Sequence, residues 1–288
     1  MNQQKNVHYF PGHMRKALNA LRSFMQAVDL VVEVVDARVP HSSRNPLLHE
    51  LSEGKGRLVF LSKTDLADPK ETEKWVEYFA KEGIAAASAN LKAEKAMALI
   101  EKASRPLVEK KREKERRIGM KPQPIRLCIV GVPNVGKSTL INNLAGKAVA
   151  KAGNRPGVTR AEQWVKLPSS FVLLDSPGIL PMNYPTEEEA IHLALTGSIK
   201  EEVLPIHALA DYLLDLLRKD YPTILGGRYP IPSLADITNE EALRIIAKER
   251  GFLLKGGEPD GDKAAFILLK EYQDGILGPV TLETADAD

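Results

Sequence analysis

Gly131-Val-Pro-Asn-Val-Gly-Lys-Ser138 decides the fold, because the apolar run Ile125-Arg-Leu-Cys-Ile-Val130 precedes it and Thr139-Leu-Ile-Asn-Asn-Leu144 follows it. Strand, glycine loop and helix in that order are the setting in which a G-x-x-x-x-G-K-[ST] string acts as a phosphate loop. Gly131 and Gly136 let the backbone curl so that successive N–H groups face an anion, and the helix starting near Lys137 adds the positive end of its dipole. Pro133, Asn134, Val135, Gly136, Lys137, Ser138 and Thr139 are the expected phosphate contacts. Lys137 is placed to reach the β- and γ-phosphates, and the Ser138 hydroxyl to ligate the Mg²⁺ between them.

Outward from the loop, strands alternate with helices. Leu30-Val-Val-Glu-Val-Val35 reads as a buried parallel strand ending in Asp36-Ala-Arg38. A short helix is expected around Pro46–Ser52, a strand over Arg57–Leu61, a helix over Pro69–Lys81 and a strand over Gly83–Ala87. This alternation predicts a mostly parallel sheet covered by helices on both faces, with functional residues at the carboxyl ends of the strands. A helix is also expected at Arg15–Gln26, and a long one from Lys92 to Arg117 in which Pro106 marks a break or restart. Residues 150–162 have the composition of a loop, and Gln163–Leu167 with Phe171–Leu174 reads as a hairpin about Pro168-Ser-Ser170. Beyond residue 186 the pattern is helical, over Glu187–Thr196, Glu202–Lys219, Asn239–Lys248 and Gly261–Asp274, so a second, all-helical unit is expected there.

Two strand ends carry base-reading residues. Lys63-x-Asp65 supplies a carboxylate for the ring N–H and exocyclic amine of guanine, beside a lysine stem to cover the base. Ser62 stands just before it, and Ser88-Ala89 on the next strand offers a backbone amide to the guanine oxygen. Asp175-Ser-Pro-Gly178, at the end of the hairpin strand, fits an aspartate that holds Mg²⁺ through water and a glycine N–H, that of Gly178, on the γ-phosphate. Thr159 in the preceding loop offers a hydroxyl for the remaining Mg²⁺ position. A loop that loses its γ-phosphate contact on hydrolysis is one half of a switch.

Composition bounds the rest. The chain has 288 residues, 43% hydrophobic, with a net charge of +2 and one cysteine. Cys128 therefore forms no internal disulfide and reads as a packing residue inside the strand before the loop. The polar Met1–Asn6 start and the absence of an 18-residue apolar run give the expectation of a cytoplasmic protein with neither signal peptide nor membrane span. Residues 201–288 carry 9 Lys/Arg against 17 Asp/Glu, or −8, which leaves +10 for residues 1–200. Residues 105–126 hold nine basic and three acidic side chains. Two readings stand for that stripe: a surface for a polyphosphate such as RNA, or a solvated helix face laced with charge pairs.

The order of the motifs, base recognition first and phosphate loop, switch and Asp-x-x-Gly afterwards, resembles the circularly permuted GTPases. With Tyr9-Phe-Pro-Gly-His-Met14, Asp36-Ala-Arg38, Asn134-Val-Gly-Lys137, Arg155-Pro-Gly-Val-Thr159 and Asp175-Ser-Pro-Gly178 in sequence, the chain resembles the ribosome biogenesis GTPase A family, the YlqF type. The resemblance implies a permuted P-loop GTPase domain over residues 1–185, with a His-bearing segment at 7–14, and a small helical domain over 186–288 that contacts RNA or the ribosome. It implies GTP/GDP and Mg²⁺, and a large-ribosomal-subunit precursor, both rRNA and ribosomal proteins, as partner, with neither membrane nor DNA.

It also bears on mechanism. Ile179 stands where many small GTPases have a water-orienting Gln, and the resemblance passes that role to His13, whose alternative is to cap a turn or touch rRNA. Asn134 resembles the Asn that coordinates K⁺ in potassium-stimulated relatives; its alternative is to shape the loop. Ser62 stands where the family has Asn, so weaker guanine-nucleotide affinity is expected. A kinase or ATPase with the same loop, and an RNA-binding scaffold with a structural nucleotide, are the competing functions. Lys63-x-Asp65 speaks against the first, and Ile179 keeps the second open.

Overall fold

The computed structural model describes Arg22 and residues 25–146, 164–174, 186–199 and 205–285. Its centre is a six-stranded sheet of β1 (Leu30–Asp36), β2 (Gly56–Ser62), β3 (Ala85–Ser88), β4 (Ile125–Val130), β5 (Trp164–Lys166) and β6 (Phe171–Leu174), in the order β3-β2-β1-β4-β6-β5. All neighbours are parallel except the β5–β6 hairpin. Every residue of β1 is buried, as expected of a parallel strand covered on both faces. Glu33 in its middle is tolerated because its carboxylate accepts from the Asn45 amide and faces Arg44 and Arg57.

One face of the sheet is covered by α3 (Ala96–Arg117) and α4 (Lys137–Ala145), whose Ile100 and Leu140 join Val32, Phe60 and Ile129 in one apolar cluster. The other face holds α1 (Leu47–Leu51) and α2 (Pro69–Lys81). Asp68 caps α2 through the Lys70 and Glu71 amides, and Trp75 and Phe79, four residues apart, put two rings on the same inward side.

Pro106 does not break the long helix: α3 runs through it. The proline removes the bond to the Lys102 carbonyl, but Lys102 and Pro106 are both exposed, on the side where water takes up the unused acceptor. The basic stripe on α3 is partly laced, since Lys111 pairs with Asp29, Arg112 with Glu115 and Arg116 with Glu109. Arg105, Lys110, Lys114, Arg117 and Lys121 are exposed and have no ion pair among the described residues.

After the hairpin come α5 (Glu187–Leu195), α6 (Ile206–Asp220), α7 (Asn239–Glu249) and α8 (Gly261–Gln273), with short 3₁₀ turns at Ile224–Gly227 and Leu234–Asp236. Thr186 with Glu189 and Thr238 with Glu241 form reciprocal caps at the starts of α5 and α7. Leucines of α6, α7 and α8 build a separate core that also takes in Val39 from the loop after β1.

All six strands lie before residue 186 and the elements after it are helices and 3₁₀ turns among the described residues, but a cut there does not separate the packing. In α5, Leu193 belongs to the sheet-side cluster while Ala194 and Leu195 belong to the helical one. The chain end returns to the sheet: the Val280 amide donates to Leu66 O, the Leu282 amide to Arg38 O and Trp75 Nε1 to Glu283 O. Glu283 accepts from the His41 and Ser42 amides and bonds His192. Among the described residues no helix is long and apolar enough to cross a membrane.

Candidate guanine-nucleotide site

The carboxyl ends of β2, β3 and β4 carry those sequence-predicted residues that are described: Ser62, Lys63 and Asp65 at and after the end of β2, Ser88 and Ala89 at that of β3, and residues 133–139 after β4. The phosphate loop follows β4 directly, with Gly131 at φ +153°, Asn134 at +60° and Gly136 at +100°, a run of conformations that few side chains accept. A Cβ on Gly131 would lie 2.4 Å from the Val34 carbonyl oxygen, so the loop is pressed against β1 and only glycine fits. Gly136 opens α4, which leaves the first amides of that helix free to face an anion.

Lys137 is the first residue of that helix. Its ammonium folds back on the Val132 carbonyl at 2.6 Å, and burial pushes its pKa down to about 8. Among the described residues no carboxylate pairs with it. A half-buried cation held by a neutral carbonyl fits a phosphate group, which would favour its charged form. Ser138 and Thr139 are exposed beside it, so a hydroxyl is available to a divalent cation on the same phosphates.

A pH dependence follows. In the free protein Lys137 is half neutral near pH 8, whereas a bound phosphate keeps it protonated, so binding takes up a proton above that pH and affinity falls as pH rises. GDP should bind about fourfold more weakly at pH 8.5 than at pH 7, and with little change below pH 7. Calorimetric titration across that range checks it. Lys137→Arg, whose guanidinium stays charged, should lose the dependence; a flat profile in the parent would reject it.

On the base side, β2 ends in Ser62, which is fully buried, and Lys63 follows at φ +57°. The Ser62 hydroxyl lies 3.0 Å from the Val35 carbonyl and bonds the Val135 carbonyl inside the phosphate loop. It thus ties the base-reading strand to the loop. With two carbonyls competing for one proton, it has none left for the base. An added Cβ at Gly136 would sit 3.3 Å from this hydroxyl, so the two motifs touch.

Asp65 pairs with the exposed Lys92 at 2.8 Å. A solvent-exposed pair of this kind is worth about 0–1 kcal/mol, so a base displaces it at small cost. Lys92 has no role in the sequence reading; its only signal there is a cation just past the end of the next strand. One expectation is corrected. The Ala89 amide does not point at a base but donates to Leu61 O at 3.1 Å, extending the β2–β3 ladder by one rung, and Ala89 itself is buried. The Asn90 amide is likewise taken, by the Glu94 carboxylate. Ser88 sits at the end of β3 opposite Leu61.

Beneath the base side lies a group that the motif names without giving it a role. Asp36 is fully buried at the end of β1. Its Oδ1 accepts from the Arg38 amide and Nε at 3.0 Å each, and its Oδ2 accepts from Arg38 Nη2 and Lys63 Nζ at 2.9 Å each. Burial alone would raise this carboxyl, but the Arg38 and Lys63 charges outweigh it and hold it at about 2. Its signal in the sequence is an Asp-x-Arg pair where an apolar strand stops.

His13, Thr159, Asp175, Gly178 and Ile179 lie outside the described residues.

Known proteins resemble this chain over nearly all of its length. Residues 126–229 match the family model of the 50S ribosome-binding GTPases. The match starts inside β4, so the base-reading residues precede it, as a permuted order requires. The chain is 43% identical to a ribosome biogenesis GTPase A of Bacillus cereus over 97% of this chain and 94% of the relative. It is 32% identical to that of Thermotoga maritima, over 96% and 93%. A mitochondrial ribosome-associated GTPase 1 of Bos taurus is 34% identical, over 96% and 88%. Among solved structures, GNP-bound YlqF from T. maritima superimposes with a TM-score of 0.65 at 29% identity, covering 94% of this chain and 99% of that one.

Proposed function

The chain belongs to the ribosome biogenesis GTPase A family, and from that membership we propose that it works as a GTP-hydrolysing switch on the immature large ribosomal subunit, in its late maturation. The observation that carries this reading is the join between the two halves of the site. Ser62 bonds the Val135 carbonyl, so the strand that leads into the residues suited to guanine is tied to the loop suited to phosphate although the two come from separate parts of the chain.

In this reading Lys63 and Asp65 hold the base, with Ser62 fixing their strand. The amides of residues 133–139 and the Lys137 ammonium hold the phosphates. Ser138, with Thr159 and Asp175, would hold a Mg²⁺ whose charge offsets that developing on the transferred phosphate. Gly178 contacts the γ-phosphate, His13 orients the attacking water, and Asn134 holds a K⁺. The exposed Lys110, Lys114 and Arg117 share one face of α3 and suit an rRNA backbone, while the acidic helical region suits a basic ribosomal protein.

The test is GTP turnover with and without large-subunit precursor, in K⁺ and in Na⁺, for the parent and for His13→Ala. Stimulation by the particle in K⁺, lost in the variant, is expected. Turnover indifferent to the particle would overturn the switch reading, and stimulation retained by His13→Ala would remove His13 from the chemistry.

A further inference from the structure

Arg38 is buried, yet its contacts spread across the molecule. Two of its side-chain nitrogens and its amide hold Asp36, as above. Its remaining hydrogen-bonding reach goes to the helical region: Nη1 to the Gln273 carbonyl at 3.3 Å and Nη2 to the Thr196 carbonyl at 3.4 Å. Its guanidinium lies 5.2 Å from the centre of the Tyr272 ring, and its own carbonyl accepts from the Leu282 amide at 2.8 Å. On the far side of Asp36, Lys63 is fixed by its ammonium. A buried ion pair contributes little net stability against an apolar replacement, so this cluster is better explained by what it positions.

A second contact reaches the same place from the phosphate end. Asn134 Nδ2 donates to the Gly197 carbonyl at 2.8 Å, next to the Thr196 carbonyl that Arg38 reaches. The Thr196–Gly197 corner, where α5 ends, is therefore bonded to one residue under the base side and to one in the phosphate loop. Gly197 has φ +72°, and Thr196 is buried and bonded back to His192, so the corner is a formed element.

We propose that Arg38 is a positioning residue for guanine recognition, which holds the Lys63 stem over the base through Asp36 and couples nucleotide binding to the docking of the helical region at Thr196–Gly197. This rests on the reading that Lys63 and Asp65 hold the base. Coupling is reciprocal: whatever pulls the helical region off this corner loosens the base, and a bound guanine nucleotide tightens the corner. A partner that grips the helical region would thereby promote nucleotide exchange.

The test uses the full chain, with GDP and inorganic tripolyphosphate as ligands. Arg38→Lys keeps a cation beside Asp36 but cannot hold Asp36 and two carbonyls at once. Its GDP affinity should fall at least about fivefold, the lower end of typical couplings, with tripolyphosphate binding unchanged. In the parent, GDP should slow hydrogen exchange of the 196–198 amides, and Arg38→Lys should lose that response. Equal loss for both ligands would show a merely structural residue and overturn the proposal, as would GDP affinity equal to the parent's. Should Arg38→Lys not fold, parent exchange at 196–198 indifferent to GDP overturns it alone. Asp65→Asn separates the two readings. If that change leaves GDP binding intact, the base assignment itself falls; if it weakens GDP while Arg38→Lys does not, only the coupling falls.

Discussion

Asp65→Asn is expected to weaken GDP binding about a thousandfold and to turn the preference toward a xanthine nucleotide. Guanine offers two donors, the ring N1–H and the exocyclic amine, and a carboxylate accepts both with its charge. Each charge-assisted bond is worth about 1.5–3 kcal/mol, so losing the charge and one acceptor costs about 4 kcal/mol, or three powers of ten. Xanthine has an oxygen in place of the amine, and the new amide N–H can donate to it. The free site adds little to this sum, because the Lys92 pair that Asp65 gives up is solvent-exposed. Competition titrations with GDP and xanthosine diphosphate read out both effects. GDP affinity within a few-fold of the parent would show that Asp65 does not face the base.

Gly131→Ala should abolish nucleotide binding and destabilise the fold by about 3 kcal/mol or more. The added methyl would meet the Val34 carbonyl oxygen at 2.4 Å and Val135 Cγ2 at 3.1 Å, on a residue whose φ of +153° already excludes most side chains. The carbonyl belongs to β1, whose backbone is bonded on both sides to β2 and β4 and so cannot retreat. The loop must move instead, and the amides that cradle the phosphates move with it. Thermal unfolding and a GDP titration check the two parts. Gly54→Ala, at φ +73° with nothing within 4 Å of the added methyl, is the control for backbone strain without a clash. A Gly131→Ala protein that binds GDP as the parent does would mean that the loop is not the anion cradle.

The strands and the phosphate loop were legible because their signals are local. An unbroken apolar run such as Leu30–Val35 can be satisfied only by a strand buried on both faces, and the glycine spacing of 131–138 specifies a turn before a helix. Pro106 misleads for the opposite reason: its effect depends on which side of α3 faces water, and that is set by what packs beneath. The Ala89 amide misleads because a strand end cannot be told from the residue beyond it until the neighbouring Leu61 carbonyl is in place.

By itself, then, the sequence determined the order of strands and helices, the loop shaped for an anion and the carboxylate suited to guanine, since backbone conformation and side-chain chemistry act over a few residues. Only the tertiary structure decided what the buried charges hold. Arg38 reaches the Gln273 carbonyl 235 residues along the chain, and Asn134 reaches Gly197. A buried cation must find every acceptor that it can, and which carbonyl comes within 3.5 Å of it is fixed by how two separate cores pack, which no local pattern records.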